Sequence, residues 1–160
     1  MAIFEGQLHV NKNDRFAIVS ARFNEFIVDR LVEGGMDCLL RHGCNESQID
    51  HFKVPGSFEL PQMALCVAQS GKYSGILLLG AVIRGGTPHF DMIAAEVTKG
   101  AAQVALQTGV PLVFGVLTTD TVEQAIERAG SKMGNKGWES AQSLIEMVDL
   151  RKAVQPTKGR

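Results

Sequence analysis

The 160-residue chain contains few of the features that mark membrane, secreted or nucleic-acid-binding proteins. No apolar run approaches the roughly 18 residues that a membrane-spanning helix needs. Lysine and arginine number 16 against 17 aspartates and glutamates, and the net charge of −1 gives no general attraction for nucleic acid or anionic lipid. The first 15 residues lack the basic-then-apolar order of a signal peptide. These absences together favour a globular protein of the cytoplasm.

Cysteine is also scarce, and its three positions indicate neither a disulfide framework nor a metal site. Cys38, Cys44 and Cys66 show no Cys-x-x-Cys spacing, and an odd number of thiols cannot all pair. A reduced chain is the simplest interpretation. The alternative, a thiol nucleophile, is less favoured because these cysteines fall within or just after helical patterns, as packing residues often do. The histidines lie in unrelated segments, so we expect no bound metal.

What the chain does contain is a regular alternation of strand-like and helix-like segments. Short apolar runs rich in strand-forming residues occupy 15–21, 51–54, 75–83 and 111–118. Segments with apolar residues at helical spacing occupy 26–43, 61–71, 90–109, 121–130 and 138–154. Strands that alternate with helices imply right-handed crossovers and a parallel sheet with helices on both faces.

This alternation predicts one α/β domain over residues 1–160, a three-layer α/β/α sandwich. Its sheet would hold four parallel strands in a flavodoxin-like order, and the near-continuous apolar run over 75–83 indicates a strand covered on both faces. The first ten residues predict an additional N-terminal strand. Residues 155–160 predict a loose tail.

Ligands of open α/β sheets bind beyond the carboxyl ends of the strands, and here those ends carry informative side chains. Phe23, Phe58 and Phe114 are predicted at three of the four ends. They would either pack beneath their loops or form an apolar slot for a flat ring. Glu59 would either complement the dipole of the following helix or accept hydrogen bonds from a polyhydroxyl or amide ligand.

The segment between the third strand and its helix predicts an anion site. Gly85, Gly86 and Thr87 would place backbone N–H groups and a hydroxyl at a helix N-terminus, although a plain capped turn would use the same residues. His89 stands in the first helical turn, where the helix dipole disfavours its charged form and Asp91 favours it. A histidine at this place would suit a proton shuttle, and a capping or surface histidine is the alternative.

A basic, glycine-rich turn lies between the last two helices. Arg128, Lys132 and Lys136 frame this turn. It would be either a solvated loop or a phosphate clamp, because arginine offers a bidentate fork. The chain shows no Ser-His-Asp or Cys-His order and no paired carboxylates typical of glycoside hydrolysis.

Five motifs, in their order and spacing, resemble the lumazine synthase family. They are ARFNEFI at 21–27, VPGSFELP at 54–61, GAVIRGGTPHFD at 80–91, FGVLTTDTVEQAIERAG at 114–130 and GSKMGNKG at 130–137. The resemblance implies a transferase without cofactor that condenses 5-amino-6-(D-ribitylamino)uracil with 3,4-dihydroxy-2-butanone 4-phosphate. That reaction is the penultimate step of riboflavin biosynthesis.

The resemblance also implies roles for individual residues. Phe23 would stack on the pyrimidine, and His89 would transfer protons. The other pyrimidine and ribityl contacts would come from Ser57, Phe58, Glu59, Ala81, Val82, Ile83 and Phe114. The phosphate would be held by Gly86, Thr87 and Arg128. Further polar contacts are expected from Asn24 and Lys136. Phe114 and Arg128 would come from a neighbouring subunit, and Arg84 would either add charge near the anion or brace the turn.

Members of the family form pentamers, and in many of them twelve pentamers close into a hollow icosahedral shell. The turn at 130–137 is short, without the insertion that resembles pentamer-only members, so we expect a 60-subunit shell. One alternative is a non-catalytic shell that holds flavin or lumazine, but such a binder needs no anion site. Another is a flavin mononucleotide redox protein, which is disfavoured because the loop after the first strand has little Ser, Thr or Gly.

Overall fold

The computed structural model describes residues 1–155 and contains a four-stranded parallel sheet in the order β2-β1-β3-β4. The strands are β1 (Phe16–Ala21), β2 (Ile49–Val54), β3 (Gly75–Ile83) and β4 (Leu112–Thr119). All three pairings are parallel, so every carboxyl end lies at the same edge of the sheet. The predicted α/β class and flavodoxin-like strand order are confirmed.

Five helices cover the two faces of this sheet. They are α1 (Glu25–Arg41), α2 (Leu60–Gln69), α3 (His89–Thr108), α4 (Val122–Glu127) and α5 (Lys136–Lys152). The buried side chains of α1, α4 and α5 form one apolar cluster with the sheet, and those of α2 and α3 form a second cluster on the opposite face. A strand buried on both faces needs apolar residues at every position, which the sequence of β3 supplies. Leu77 and Leu79 belong to the first cluster, and Ile76 and Leu78 to the second.

The prediction of an additional N-terminal strand is wrong for the single chain, because residues 1–15 form no strand. The segment lies against helices, where its N–H groups donate single hydrogen bonds. It does not form the regular series of backbone hydrogen bonds that pairing with a sheet edge would give. The Gln7 N–H donates to the Asp149 carboxylate at 2.8 Å, and the Val10 N–H donates to the His42 carbonyl at 2.9 Å. Val10 is buried, whereas Ile3 is exposed.

Small elements that the sequence patterns did not predict connect the main ones. A two-stranded hairpin, β5 (Ala129–Ser131) and β6 (Gly134–Asn135), occupies the basic turn, and one-turn 3₁₀ helices span Glu46–Gln48 and Ser57–Glu59. The predicted loose tail at 155–160 lies, beyond its first residue, outside the described residues. In the described part of the chain, no helix is long and apolar enough to span a membrane.

Candidate active site

A cavity of about 600 Å³ opens at the carboxyl ends of β1, β2 and β3 and at the first turn of α3. This is the edge of the sheet at which ligands of open α/β folds bind. Ten of the residues predicted for the site line the cavity: Phe23, Asn24, Ser57, Phe58, Glu59, Ala81, Val82, Ile83, Thr87 and His89. The structure therefore brings together residues from three loops that are far apart in sequence.

The first wall continues the pairing of β1 and β2 past their ends. The Arg22 N–H donates to the Val54 carbonyl at 2.8 Å, and the Phe23 N–H donates to the Pro55 carbonyl at 3.1 Å. These bonds hold the backbone of Phe23 while its ring stays 72% exposed at the cavity. An exposed aromatic ring on a fixed backbone offers a stacking surface for a flat ligand.

Asn24 connects this wall to β3. Its φ of 61° makes it the one non-glycine residue with positive φ among those that the structure describes. Asparagine tolerates this left-handed conformation better than most residues. Its side-chain amide donates to the main-chain carbonyl of Ala81 at 2.8 Å, and so positions the end of β3 against the start of α1.

The second wall is the 3₁₀ turn at Ser57–Glu59. The Glu59 carboxylate accepts a hydrogen bond from the Gly56 N–H at 2.9 Å, which leaves its second oxygen able to accept another. Ser57 is buried against Gly80 of β3, where a Cβ atom would lie 2.8 Å from the Ser57 hydroxyl oxygen. Phe58 is 58% exposed and lines the cavity beside them.

The third wall is the turn that leads into α3. Gly85 and Thr87 line the cavity, whereas Gly86 between them does not. Neither glycine has a positive φ, and a Cβ atom on either would meet no described atom within 4 Å. The chain itself therefore does not require glycine here, and the two residues leave open space beside the helix N-terminus.

His89 is the first residue of α3, and its exposed side chain faces the cavity. The sequence patterns missed Phe90 and Ile93, which line the cavity from the same helix. The spacing of four residues between His89 and Ile93 was the available signal, because such residues share one face of a helix. Pro55 and Gly56, also missed, line the opposite side.

Arg84 precedes this turn and does not line the cavity. Its guanidinium donates to the Asp120 carboxylate at 2.9 Å and to both oxygens of Asp91 at 3.2 and 3.3 Å. It also lies 4.4 Å from the centre of the Phe90 ring. The structure thus shows the bracing contacts that were one of the two predictions for this residue.

Four predicted site residues do not line the cavity of their own chain: Gly86, as described above, and three residues later in the sequence. Phe114 lies within β4, where it pairs with Leu78 of β3, and β4 continues to Thr119, so the prediction that Phe114 lies at the carboxyl end of the sheet is wrong. The remaining two are at neighbouring positions in the fold: Arg128 and Lys136.

The neighbourhood of Arg128 is the end of α4. Its guanidinium donates to the Gln124 carbonyl at 3.1 Å, and its main-chain carbonyl accepts from the Lys136 N–H at 2.9 Å. The side chain of Arg128 is 42% exposed, and its charge lies 3.9 Å from the Glu127 carboxylate. Most donors of this guanidinium therefore remain available outside the chain.

The cysteines do not take part in the site. None of the three is in a disulfide. Burial raises the pKa of the Cys38 thiol to about 11, with a further contribution from Asp37, and burial and Asp14 raise that of Cys44 to about 11. These two thiols are therefore packing residues rather than nucleophiles. Among residues 1–155, no group of three or more His, Cys, Asp or Glu side chains could hold a metal ion.

Comparison with known proteins finds the same family that the motifs resemble. The model of the 6,7-dimethyl-8-ribityllumazine synthase family matches residues 13–152. The chain is 58% identical to the 6,7-dimethyl-8-ribityllumazine synthases of Chloroherpeton thalassium and Prosthecochloris aestuarii. It is 55% identical to that of Helicobacter pylori. Each match covers 94% of this chain and 96% of the relative. The chain therefore belongs to the 6,7-dimethyl-8-ribityllumazine synthase family.

Proposed function

We propose that the cavity at the carboxyl edge of the sheet carries out the lumazine synthase reaction. The chain condenses 5-amino-6-(D-ribitylamino)uracil with 3,4-dihydroxy-2-butanone 4-phosphate and forms 6,7-dimethyl-8-ribityllumazine, the penultimate step of riboflavin biosynthesis. The amine adds to the ketone and loses water to give an imine, phosphate leaves, and ring closure releases a second water. The observation that supports this site is the gathering of ten predicted residues around one cavity.

The pyrimidine and its ribityl chain would occupy the two walls made by the loops after β1 and β2. Phe23 would stack on the ring, because its exposed face borders the cavity on a hydrogen-bonded backbone. Ser57, Phe58 and Glu59 would contact the ribityl chain and the ring edge. The main chain of three residues at the end of β3 would also contact the ring: Ala81, Val82 and Ile83.

The phosphate would lie at the N-terminus of α3, where backbone N–H groups and the helix dipole favour an anion. Gly86 and Thr87 would border it, in the space that Gly85 and Gly86 leave open. His89, the first residue of the helix, would stand beside the phosphate and move protons during imine formation and elimination. Holding both substrates in one cavity would supply much of the rate enhancement.

The site would be completed by a neighbouring subunit, in keeping with the oligomeric assembly of the family. Phe114 is half-buried on β4, an edge strand of the sheet, and Arg128 has unused donors. Both could reach the cavity of an adjacent copy, and Lys136 lies close to Arg128. We extend this proposal to pentamers and a 60-subunit shell, because the β5–β6 turn is short. The free thiols support a cytoplasmic location.

Two measurements test these proposals. Mixing the purified chain with both substrates and following lumazine absorbance and fluorescence should show turnover. Binding of lumazine without turnover would contradict the proposal and support the non-catalytic alternative. Light scattering tests the assembly, since five copies of a 17.3 kDa chain amount to about 90 kDa and sixty to about 1 MDa. A mass near 90 kDa would contradict the shell.

A further inference from the structure

Arg84 is a charged residue of the site region that the reaction described above does not use. It follows β3 directly, and its main-chain N–H donates to the Thr119 carbonyl at 2.9 Å. Its guanidinium is engaged on two sides, by Asp120 through Nε and by Asp91 through both terminal nitrogens. A guanidinium held in this way does not line the cavity and is a poor candidate for binding substrate phosphate.

Asp91 is the more informative of the two partners. It lies in the first turn of α3, two residues after His89, at the same helix N-terminus as the proposed phosphate site. An unpaired carboxylate at this place would repel a phosphate and would compete with it for the positive end of the helix dipole. Asp91 does not line the cavity, and both its oxygens accept hydrogen bonds from Arg84.

The stacking contact adds a second effect. The Arg84 guanidinium lies 4.4 Å from the centre of the Phe90 ring, and Phe90 lines the cavity. Arg84 therefore contacts two consecutive residues of the first helical turn, one by charge and one by packing. Its bond to Asp120 ties this turn to the loop after β4.

We propose that Arg84 is a positioning residue that lets the N-terminus of α3 accept a phosphate, because it neutralises Asp91 and keeps that carboxylate outside the cavity. The proposal rests on the proposed phosphate site and assigns to Arg84 an indirect role in substrate affinity. A residue that only braced the turn would change the KM for both substrates equally. The role proposed here affects the KM for the phosphorylated substrate.

The test measures KM for each substrate and inhibition by inorganic phosphate. Arg84→Gln should raise the KM for the phosphorylated substrate and the inhibition constant of phosphate by about 3- to 5-fold, the size of an exposed charge effect at a helix N-terminus. The KM for the uracil substrate should stay unchanged. The ratio between variant and wild type should shrink as salt is added, because exposed charges are screened.

Double variants separate neutralisation from bracing. Asp91→Asn in the Arg84→Gln background removes the unpaired carboxylate and should restore phosphate affinity. The matched control, Asp120→Asn in the same background, removes a carboxylate on the β4–α4 loop and should restore less. A double variant R84Q/D91N as weak as R84Q, or an equal loss for both substrates, would overturn the proposal.

Two single variants keep the proposal testable if Arg84→Gln does not fold. Arg84→Lys retains the charge and should keep the KM for the phosphorylated substrate near the wild-type value. Asp91→Asn alone frees the charge of Arg84 and should leave that KM unchanged or lower it, whereas an increase would overturn the proposal. Failure of the proposed function would look different, because wild-type turnover itself would then be absent.

Discussion

The side-chain amide of Asn24 donates a 2.8 Å hydrogen bond to the main-chain carbonyl of Ala81. The bond joins the loop after β1 to the end of β3, 57 residues later in the chain. It orients a carbonyl at the cavity and holds Asn24 in a left-handed conformation. The packing of the two strands thus determines the position of groups proposed to contact the pyrimidine.

Replacing Asn24 should therefore affect both stability and binding. Asn24→Ala loses the hydrogen bond and places a less tolerant residue at positive φ, so we expect the free energy of unfolding to fall by about 1–3 kcal/mol. Asn24→Gly also loses the hydrogen bond, but glycine adopts a positive φ readily. The free energy of unfolding should therefore fall less than in Asn24→Ala. Denaturant unfolding and the KM for the uracil substrate check this. Equal stability of both variants would contradict the role of backbone strain.

Replacing His89 should slow the reaction without abolishing it. If His89 only transfers protons, and positioning supplies the rest, His89→Ala should lower kcat by about 10- to 100-fold. His9→Ala is a suitable control, because His9 lies near Gly43, beyond the C-terminus of α1 and away from the cavity. Unchanged kcat, or its complete loss, in steady-state assays would argue against this role.

The open space beside Gly86 makes a selective substitution possible. A Cβ atom at Gly86 meets no described atom within 4 Å, and the residue has no positive φ. Gly86→Ala should therefore leave the melting temperature unchanged, whereas the KM for the phosphorylated substrate should rise about tenfold through steric conflict with phosphate. Gly85→Ala is the matched comparison. If the KM rose for Gly85→Ala but not for Gly86→Ala, the phosphate would contact Gly85 and not Gly86.

Substitution of Gly137, unlike that of Gly86, should strongly reduce the stability of the fold. A Cβ atom there would overlap the carbonyl of Leu31, where α5 starts against α1. Because two helices would have to separate, we expect Gly137→Ala to cost about 3 kcal/mol, despite the better helix propensity of alanine. Thermal or denaturant unfolding measures this, with Gly86→Ala as the neutral control. A Gly137→Ala chain of wild-type stability would show that α1 and α5 can adjust freely.

His51 predicts one component of the pH dependence of stability. Its ring nitrogen lies 2.7 Å from the Ser20 hydroxyl oxygen. Packing around the ring lowers the pKa of His51 below 6.5, Lys53 lowers it further, and Asp29 acts in the opposite direction. The unfolded chain therefore takes up the proton first, and the contribution of neutral His51 is lost as the pH falls from about 6.5 through the folded-state pKa.

The variant His51→Gln lacks this titration and keeps a polar group near Ser20. Its free energy of unfolding should fall less steeply than that of the wild type as the pH is lowered from about 7.5 to 5.5. Denaturant unfolding at equal protein concentration measures the difference, because concentration affects the stability of an oligomer. Parallel pH profiles for the two proteins would contradict the prediction.

Most of the secondary structure could be predicted because its signals are local. The unbroken apolar run of β3 and the helical spacing of the segments around it depend only on neighbours in sequence. The small hairpin at Ala129–Asn135 and the two 3₁₀ turns carry no such periodicity and were missed. The N-terminal segment was assigned wrongly because a strand needs a partner edge, and its sequence cannot supply one.

The residues of the candidate site could likewise be predicted from the sequence only in part. The residues of the loops after β1, β2 and β3 could be found because parallel strands bring their carboxyl ends to one edge. Phe90 and Ile93 were missed because they belong to a helix whose orientation over the cavity depends on packing. Phe114 was misplaced because it lies within the fourth strand and not at its carboxyl end.

By itself, the sequence determined the layered α/β fold, the family and the loops that carry the site, since periodicity and motif order are properties of the linear chain. Only the tertiary structure decided which groups meet. Arg84 contacts Asp91 and Asp120, 7 and 36 residues away, and Asn24 bonds to Ala81 across 57 residues. Side-chain directions beyond the strand ends depend on how loops pack against one another, and local patterns do not contain that information.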